Sequence, residues 1–311
     1  LTLISDAVVE AVDYDPETRR ASGVRVIDAN TMERTTYTGK LVFLCASTIG
    51  STHILMNSRS EHFPNGLANR SGALGHYLMD HTYRAGAQGF FPGEFNDKVV
   101  YGSRPSGIYI PRFRNVNGDD DVDFARGYNY QGRASHMGGI GNALDTPGFG
   151  ADYKHSLRKP GPWRMRLSGF GECLPYKDNR MELIDSKKDR YGIPQIKFHF
   201  AWHENEMKIR RDLMEQGVEM LKRAGAVNVE GFDENVTGGM CIHEMGTARM
   251  GNDPETSVLN RWNQAHDVPN LFVTDGASMT SASCVNPSLT FMALTARAVD
   301  YAVKRLKAEQ I

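Results

Sequence analysis

The C-terminal part of the chain carries the feature that most constrains its fold. An apolar run at residues 268–274 indicates a short buried strand that stops at Asp275-Gly276. After a polar loop, Asn286-Pro-Ser288 is typical of a helix start, because proline is tolerated in the first turn and serine can satisfy free amides. Residues 289–306 follow with a helical pattern, apolar at the beginning and basic at the end. Since N–H groups at a helix N-terminus bind electron-rich groups, the start of this helix is expected to face a ligand.

His243 is the candidate catalytic residue. It stands in Cys241-Ile-His-Glu-Met-Gly-Thr-Ala-Arg-Met-Gly251, whose small residues let the backbone approach a cofactor. Alone, a histidine in such a loop is more often a hydrogen-bonding residue than a catalyst. Asn286, also beside a helix start, supplies a candidate partner. An imidazole can take the proton of an alcohol as hydride leaves the carbon, and an amide can donate to the developing alkoxide.

Three segments resemble one family when they are taken in order. His243-Glu-Met-Gly-Thr-Ala-Arg-Met-Gly251, Leu271-Phe-Val-Thr-Asp-Gly-Ala-Ser278 and Asn286-Pro-Ser-Leu-Thr290 are similar to the C-terminal signature of the glucose–methanol–choline (GMC) flavoprotein oxidoreductases. A His followed by Asn-Pro is most similar to the branch of pyranose 2-oxidase, glucoside 3-dehydrogenases, and fructose and gluconate dehydrogenases. The resemblance implies FAD-dependent oxidation of a CH–OH group, of a sugar or glucoside, with His243 as base and Asn286 as its partner.

The resemblance also implies where FAD is held. Asp275 and Gly276 match the family's contact with the ribityl–pyrophosphate region, and residues 287–290 match the helix start beneath the pyrimidine ring. Weaker matches are Cys45, Ala46 and Ser47, near the dinucleotide, and Val9, on the strand that meets the adenine. The full set of cofactor-binding positions is Val9, Cys45, Ala46, Ser47, Asp275, Gly276, Asn286, Pro287, Ser288 and Thr290.

The remaining patterns give the fold class. Runs of β type at residues 1–12 and 21–27, a turn at 35–39 and a buried-strand run at 40–46 open the chain. Small residues after that strand open a helix, where α/β proteins bind nucleotides, although a tight turn without ligand has about equal weight on these residues alone. Alternation at residues 192–202 predicts a strand, and the amphipathic pattern at 204–224 predicts a helix that covers an antiparallel sheet.

The expected architecture is α/β (α+β) and has three parts. Residues 1–75 form part of an FAD-binding, Rossmann-like domain, residues 76–235 form a substrate-binding domain with an antiparallel sheet covered by helices, and residues 236–311 return to the FAD-binding domain. The Gly-x-Gly-x-x-Gly unit that holds the FAD pyrophosphate in the family is missing from the sequence. Two explanations of the missing unit remain open. The chain is expected to be a fragment of a longer gene, which the initial Leu favours, or the missing half is a separate chain.

Composition excludes several classes of protein. The 311 residues carry a formal charge of −1, which argues against a nucleic-acid partner. The four cysteines show no CxxC pair, so neither a disulfide scaffold nor a zinc or iron–sulfur site is indicated. No run of about twenty apolar residues predicts a transmembrane segment.

Three other local patterns have a structural interpretation. Asp80 and His81 are adjacent, so their side chains point in different directions, and both are expected to be structural. His199 and His203 would face one metal on a helix, but the alternation indicates a strand that separates them by about 13 Å. The acidic residues 117–121 lack the spaced ligands of a calcium loop and indicate an exposed turn.

Two functional hypotheses remain. One is sugar or alcohol oxidation by a complete flavoenzyme, with an electron-acceptor protein as a possible partner. The other is a catalytically idle fragment or a binding subunit that lacks the FAD phosphate loop. A nicotinamide dehydrogenase would need a fingerprint that the sequence does not contain. Localisation is open between the bacterial cytoplasm and the periplasm.

Overall fold

A computed structural model describes residues 1–93, 107–117, 121–139, 143, 147–234 and 237–311. The chain opens with three antiparallel strands, β1 (Ala7–Asp15), β2 (Arg20–Asp28) and β3 (Arg34–Thr38). The turn between β1 and β2 is closed by Asp15, whose carboxylate accepts from Glu17 N at 2.9 Å and Thr18 Oγ1 at 2.7 Å. The turn expected at residues 35–39 is wrong, because its threonines and tyrosine favour extended backbone and pair with β2.

A small parallel sheet joins a strand near the beginning of the chain to a strand near its end. It consists of β4 (Val42–Leu44), which leads into α1 (Ser47–Asn57), and β13 (Leu271–Val273), in the register Leu271 to Val42. Both predicted strands are confirmed, in shorter form. Their apolar side chains lie in a core that also takes residues from α1 and from β1. The carboxyl ends of β4 and β13 therefore meet at one edge.

The largest sheet has six antiparallel strands. Its strands are β5 (His81–Thr82), β6 (Ala85–Phe91), β7 (Ile108–Ile110), β8 (Tyr128–His136), β9 (Trp163–Glu172) and β12 (Val227–Asp233). The order is β12-β6-β9-β8-β7, and β5 pairs with β9. Between them lie the short helix α2 (Gly150–Ser156), the hairpin of β10 (Arg180–Lys188) and β11 (Pro194–His199), and α3 (Glu204–Arg223). The antiparallel sheet and its covering helix agree with the expected fold class.

The two faces of this sheet differ. One face packs against α3, where Ile209, Leu213 and Leu221 are buried against Ala87 and Leu167. Gly169 lacks a side chain at the point where Leu213 reaches the sheet. Because side chains alternate along a strand, Arg164, Arg166, Ser168 and Phe170 of β9 point to the other face. That face carries a cleft.

The C-terminal helix α4 (Ser288–Lys307) begins where the sequence predicts. Its N-cap is Pro287, no side chain caps its first turn, and Phe291 N donates to Pro287 O at 3.1 Å. Serine therefore does not supply the expected cap. Leu289, Met292, Val299 and Val303 lie along one side of α4 and are 77%, 68%, 40% and 39% exposed. None of the helices in the described ranges is long and apolar enough to cross a bilayer.

His199 and His203 have different partners. His199 ends β11 and contacts Glu182 Oε1 at 2.8 Å, whereas His203 precedes α3 and stacks on Tyr176. The strand is shorter than residues 192–202, because the chain turns toward α3 after His199. The four cysteines are free. The middle of the acidic turn, residues 118–120, lies outside the described residues.

Candidate active site

Asp80 holds the loop that carries His243. Its carboxylate is buried and accepts from the backbone N–H groups of Gly239 at 2.7 Å, Cys241 at 3.3 Å and His243 at 3.3 Å. It also accepts from the backbone of His81 at 2.8 Å, not from the imidazole. The two adjacent side chains thus point in different directions, as expected. A buried carboxylate that accepts several amides fixes the loop without leaving a charge unpaired.

A second set of backbone bonds joins the same loop to the turn after β13. Gly246 N donates to Gly276 O and Ala248 N to Ala277 O, both at 2.9 Å. Gly246 has a φ of +84° and lies so close to Tyr77 O that a Cβ would not fit. The loop is therefore clamped between residues 76–80 and the edge formed by β4 and β13.

His81 determines the tautomer of His243. His81 is fully buried, and its Nε2 lies 3.1 Å from Ala282 O, which can only accept, so Nε2 carries the proton. Burial lowers the pKa of His81, which keeps the ring neutral and leaves Nδ1 as an acceptor. His243 Nδ1 lies 2.9 Å from that acceptor and must donate. The lone pair of His243 is consequently on Nε2.

Asn286 lies on the lone-pair side of His243. Its Nδ2 is 3.4 Å from His243 Nε2, and its Oδ1 accepts from Gln131 Nε2 at 2.6 Å. Gln131 fixes the amide orientation, because a side-chain amide nitrogen can only donate. The structure thus brings together the two proposed catalytic residues, which are 43 positions apart.

Burial favours the neutral forms of His243 and Cys241, although the Asp80 carboxylate lies beside them. Burial lowers the pKa of His243, while the Asp80 carboxylate raises it. Burial raises the pKa of the Cys241 thiol, whose Sγ lies 3.3 Å from His243 Nδ1. His81, Cys241 and His243 place potential metal-ligand atoms within 4.8 Å of one another. We assign these contacts to hydrogen bonding, because His243 Nδ1 already donates to His81 Nδ1.

The edge formed by β4 and β13 gathers five of the predicted cofactor residues. Cys45 Sγ lies 3.3 Å from Thr274 Oγ1, and Ser51 Oγ donates to Asp275 Oδ2 at 2.5 Å. Burial raises the pKa of Asp275. Gly276 lies against Thr48, whose hydroxyl donates to Glu244 O at 2.5 Å, beside His243. Cys45, Ala46, Ser47, Asp275 and Gly276 are therefore neighbours, at the strand ends where open α/β sheets bind nucleotides.

The start of α4 adjoins this edge, while Val9 does not. Phe291 reaches Gly276, and Thr295 Oγ1 donates to Thr274 O at 3.2 Å, so Pro287, Ser288 and Thr290 lie next to the catalytic pair. Val9 is on β1, beside Glu10, whose carbonyl accepts from Asn57 at the far end of α1. Val9 is therefore near the last residue of α1, whereas Ser47 is the first residue of this helix, which is about 16 Å long at 1.5 Å per residue.

Sequence reasoning missed two contacting residues. It gave His81 only a structural place, and it did not single out Gln131. Their contacts join residues 162 and 155 positions apart, and local patterns do not report such contacts. The sequence does contain one indication of Gln131. Alternate residues of β8 are polar although the strand lies in the middle of a sheet, which indicates that one face of the sheet is polar.

The family is decided by the segment around this site. Residues 175–295 match the C-terminal family model described as GMC oxidoreductase. The chain carries a GMC oxidoreductase C-terminal domain. This region contains His243, Asn286 and the start of α4.

Relatives match nearly the whole chain. It is 34% identical over 303 residues to 2-methyl-1,2-propanediol dehydrogenase of Mycolicibacterium austroafricanum, covering 92% of this chain and 52% of that protein. It is 26% identical to the fructose dehydrogenase large subunit of Gluconobacter japonicus, covering 98% and 54%. The GMC domain and the sheet before it therefore span about half the length of these relatives.

The fold agrees with solved structures. Pyridoxine 4-oxidase from Mesorbium loti superposes with a TM-score of 0.61 at 16% identity, over 96% of this chain and 57% of that one. At this identity the likeness concerns the fold alone. The shared fold includes the six-stranded sheet, α1 and the first strands.

Proposed function

We propose that this chain forms the catalytic part of an FAD-dependent oxidoreductase that oxidises a CH–OH group of a sugar or another alcohol. The observation that carries the proposal is the orientation of the catalytic pair. His243 Nε2 has its lone pair beside Asn286 Nδ2 at 3.4 Å, and His81 holds the proton on the opposite nitrogen. An alcohol oxygen placed between them would give its proton to Nε2 and receive a hydrogen bond from Nδ2.

The residues present fit the flavin. The first turn of α4 has no side-chain cap, so its N–H groups can bind an electron-rich ring edge beside the catalytic pair. Cys45, Ala46, Ser47, Asp275 and Gly276 would hold the chain of the cofactor at the adjoining edge. When bound, FAD supplies the acceptor for the hydride, and the protein supplies position and proton transfer.

Additional polypeptide, on this chain or another, is part of the proposal. The pair of β4 and β13 consists of three residues from each strand, and a parallel sheet is normally buried on both faces. The exposed apolar side of α4, residues Leu289, Met292, Val299 and Val303, needs a cover of the same kind. We propose that the missing phosphate-binding unit packs there.

The test is the visible spectrum of the protein expressed with its full upstream reading frame. We expect a flavin band that bleaches when a sugar or diol is added anaerobically, and that bleaches far more slowly in His243→Ala. Exposed His155, away from the pair, gives the matched control His155→Ala, which should bleach like the parent. A full-length protein without flavin would overturn the proposal in favour of a binding subunit.

The electron acceptor is a separate element of the proposal. Reduced flavin is reoxidised either by oxygen, as in an oxidase, or by an acceptor protein, as in a dehydrogenase. We infer a dehydrogenase with an acceptor protein, supported by the similarity to two relatives named as dehydrogenases. Turnover with an artificial dye but not with oxygen is expected, and turnover with oxygen at equal rate would contradict this part.

A further inference from the structure

The open face of the six-stranded sheet carries an arginine cleft. Its volume is about 680 Å³, and its lining includes the guanidinium groups of Arg84, Arg133, Arg164 and Arg166. The only carboxylate among its described lining residues is Glu234. The cleft is therefore strongly positive, although the whole chain has a formal charge of only −1.

Glu234 balances only part of this charge. It bonds to Arg84 at 3.1 Å and to Arg166 at 3.0 Å, and Arg166 also lies 3.8 Å over the Phe232 ring. In the described part of the chain, neither Arg133 nor Arg164 forms an ion pair. Two arginines are thus held in place by one acid, while the other two have no acidic partner among the described residues.

Two of the cleft arginines face each other across the sheet. Arg133 of β8 lies directly opposite Arg166 of β9 in the antiparallel register, and like charges in such a pair destabilise a sheet. Both side chains point away from α3 into the cleft. Glu234 offsets part of this repulsion through Arg166, and an anionic ligand beside Arg133 would offset the rest.

The cleft is continuous with the catalytic pair. Gln131, which lines it, donates to Asn286, and Phe170, also in the lining, has its ring 6.1 Å from that of His243. Arg133 follows Gln131 by two residues on the same face, about 7 Å at 3.3 Å per residue. Arg166 precedes Phe170 by four residues, about 13 Å.

From this placement we propose that the substrate is an alcohol bearing an anionic group, a carboxylate or a phosphate, which reaches Arg133 and Arg166 when the alcohol lies beside His243 and Asn286. Arg133 and Arg166 bind the anion through their paired N–H groups, and Arg164 adds positive charge at the outer end. The inference rests on the proposed function and narrows its substrate class from alcohols to acidic polyols or sugars.

The experiment uses the full-length protein and three probes: glucose, gluconate and glucose 6-phosphate. We expect kcat/KM for at least one of the anionic probes to exceed that for glucose, and the preferred anion identifies carboxylate or phosphate. Arg133→Gln should lower the ratio of anion to neutral kcat/KM by about tenfold or more, as a lost charged hydrogen bond predicts. The matched control is Arg158→Gln, an exposed arginine outside the cleft, which should keep the parent ratio.

Calorimetric titration with gluconate and glucose 6-phosphate tests binding without turnover. Binding that weakens in Arg133→Gln supports the inference even where no probe bleaches the flavin, and that result counts against the proposed function alone. Equal kcat/KM for all probes, with bleaching that depends on His243, overturns the inference and leaves the proposed function standing. A raised KM for the acceptor protein in Arg133→Gln, with an unchanged probe ratio, also overturns it, because the cleft would then receive an acidic protein.

Discussion

The half of the described structure built on the six-stranded sheet (the complete half) and the half built on β4 and β13 (the open half) differ in how well their apolar surfaces are buried. The six-stranded sheet and α3 enclose a core in which Ile209 and Leu213 are fully buried. Across the catalytic pair, β4 and β13 form a sheet of only two strands, flanked on the β13 side by the isolated bridge from Gln264 to Phe272, and Leu289 and Met292 are exposed on α4. His243 and Asn286 therefore lie between a buried core on one side and, on the other, the exposed apolar side of α4, where we propose that cofactor and further polypeptide bind.

The largest expected effect is in the complete half. Leu213→Ala should lower the free energy of unfolding by about 2–5 kcal/mol, because it removes a fully buried side chain between α3 and the sheet. Urea unfolding measures the change. Met207→Ala on the exposed side of the same helix is the matched control and should change stability by no more than about 0.5 kcal/mol. Equal effects of the two substitutions would show that this core is not closed.

A smaller effect, on kcat/KM, is expected next to His243 and Asn286. His81→Leu removes the acceptor for His243 Nδ1, so the proton can move to Nε2 and block the base. We expect kcat/KM to fall by about 10- to 100-fold, since tautomer control is one part of the base contribution.

His81→Gln is the conservative partner of that variant. Its amide oxygen can still accept from His243 Nδ1, so it should retain more activity and keep the acid limb of the pH profile near that of the parent. If His81 has only a structural role, kcat/KM should fall equally in both variants and its pH profile should not change. That result would contradict the role of His81 in holding the tautomer of His243.

The smallest stability effect is expected in the open half. Leu289→Ala should change the unfolding free energy of the present chain by no more than about 0.5 kcal/mol, because its side chain is 77% exposed. In the full-length protein the same substitution should reduce flavin retention after gel filtration, since the covering polypeptide loses an apolar contact. A large loss of stability in the short chain would contradict the described exposure.

Sequence reasoning reached the fold where patterns are local. The helices at residues 204–223 and 288–307 follow from apolar spacing and from Pro287, and β4 and β13 follow from short apolar runs. It failed at β3, where every residue is exposed and only pairing with β2 holds the strand. Exposed strands give no apolar alternation to detect.

The residues of the candidate site also fall into those that local motifs indicate and those that depend on contacts between distant segments. His243 and Asn286 were found because they stand in motifs that resemble a family, and the structure brings them within 3.4 Å. His81, Gln131 and the arginine cleft could not be found, because each depends on which residues face one another across the sheet. Alternation along β8 and β9 gives the face, but register decides that Arg133 meets Arg166.

The most direct test of the central claim is the pH dependence of the rate of flavin reduction, measured by anaerobic stopped flow on the full-length protein. The base works when neutral, and burial lowers the pKa of His243 below its ordinary value of about 6.5. The rate should therefore be flat above about pH 6.5 and fall only as pH drops through that lowered pKa. In His243→Ala the rate should be about 10²–10⁴-fold lower and this acid limb should vanish. A parent-like rate with the same acid limb in His243→Ala would contradict the claim that His243 is the base.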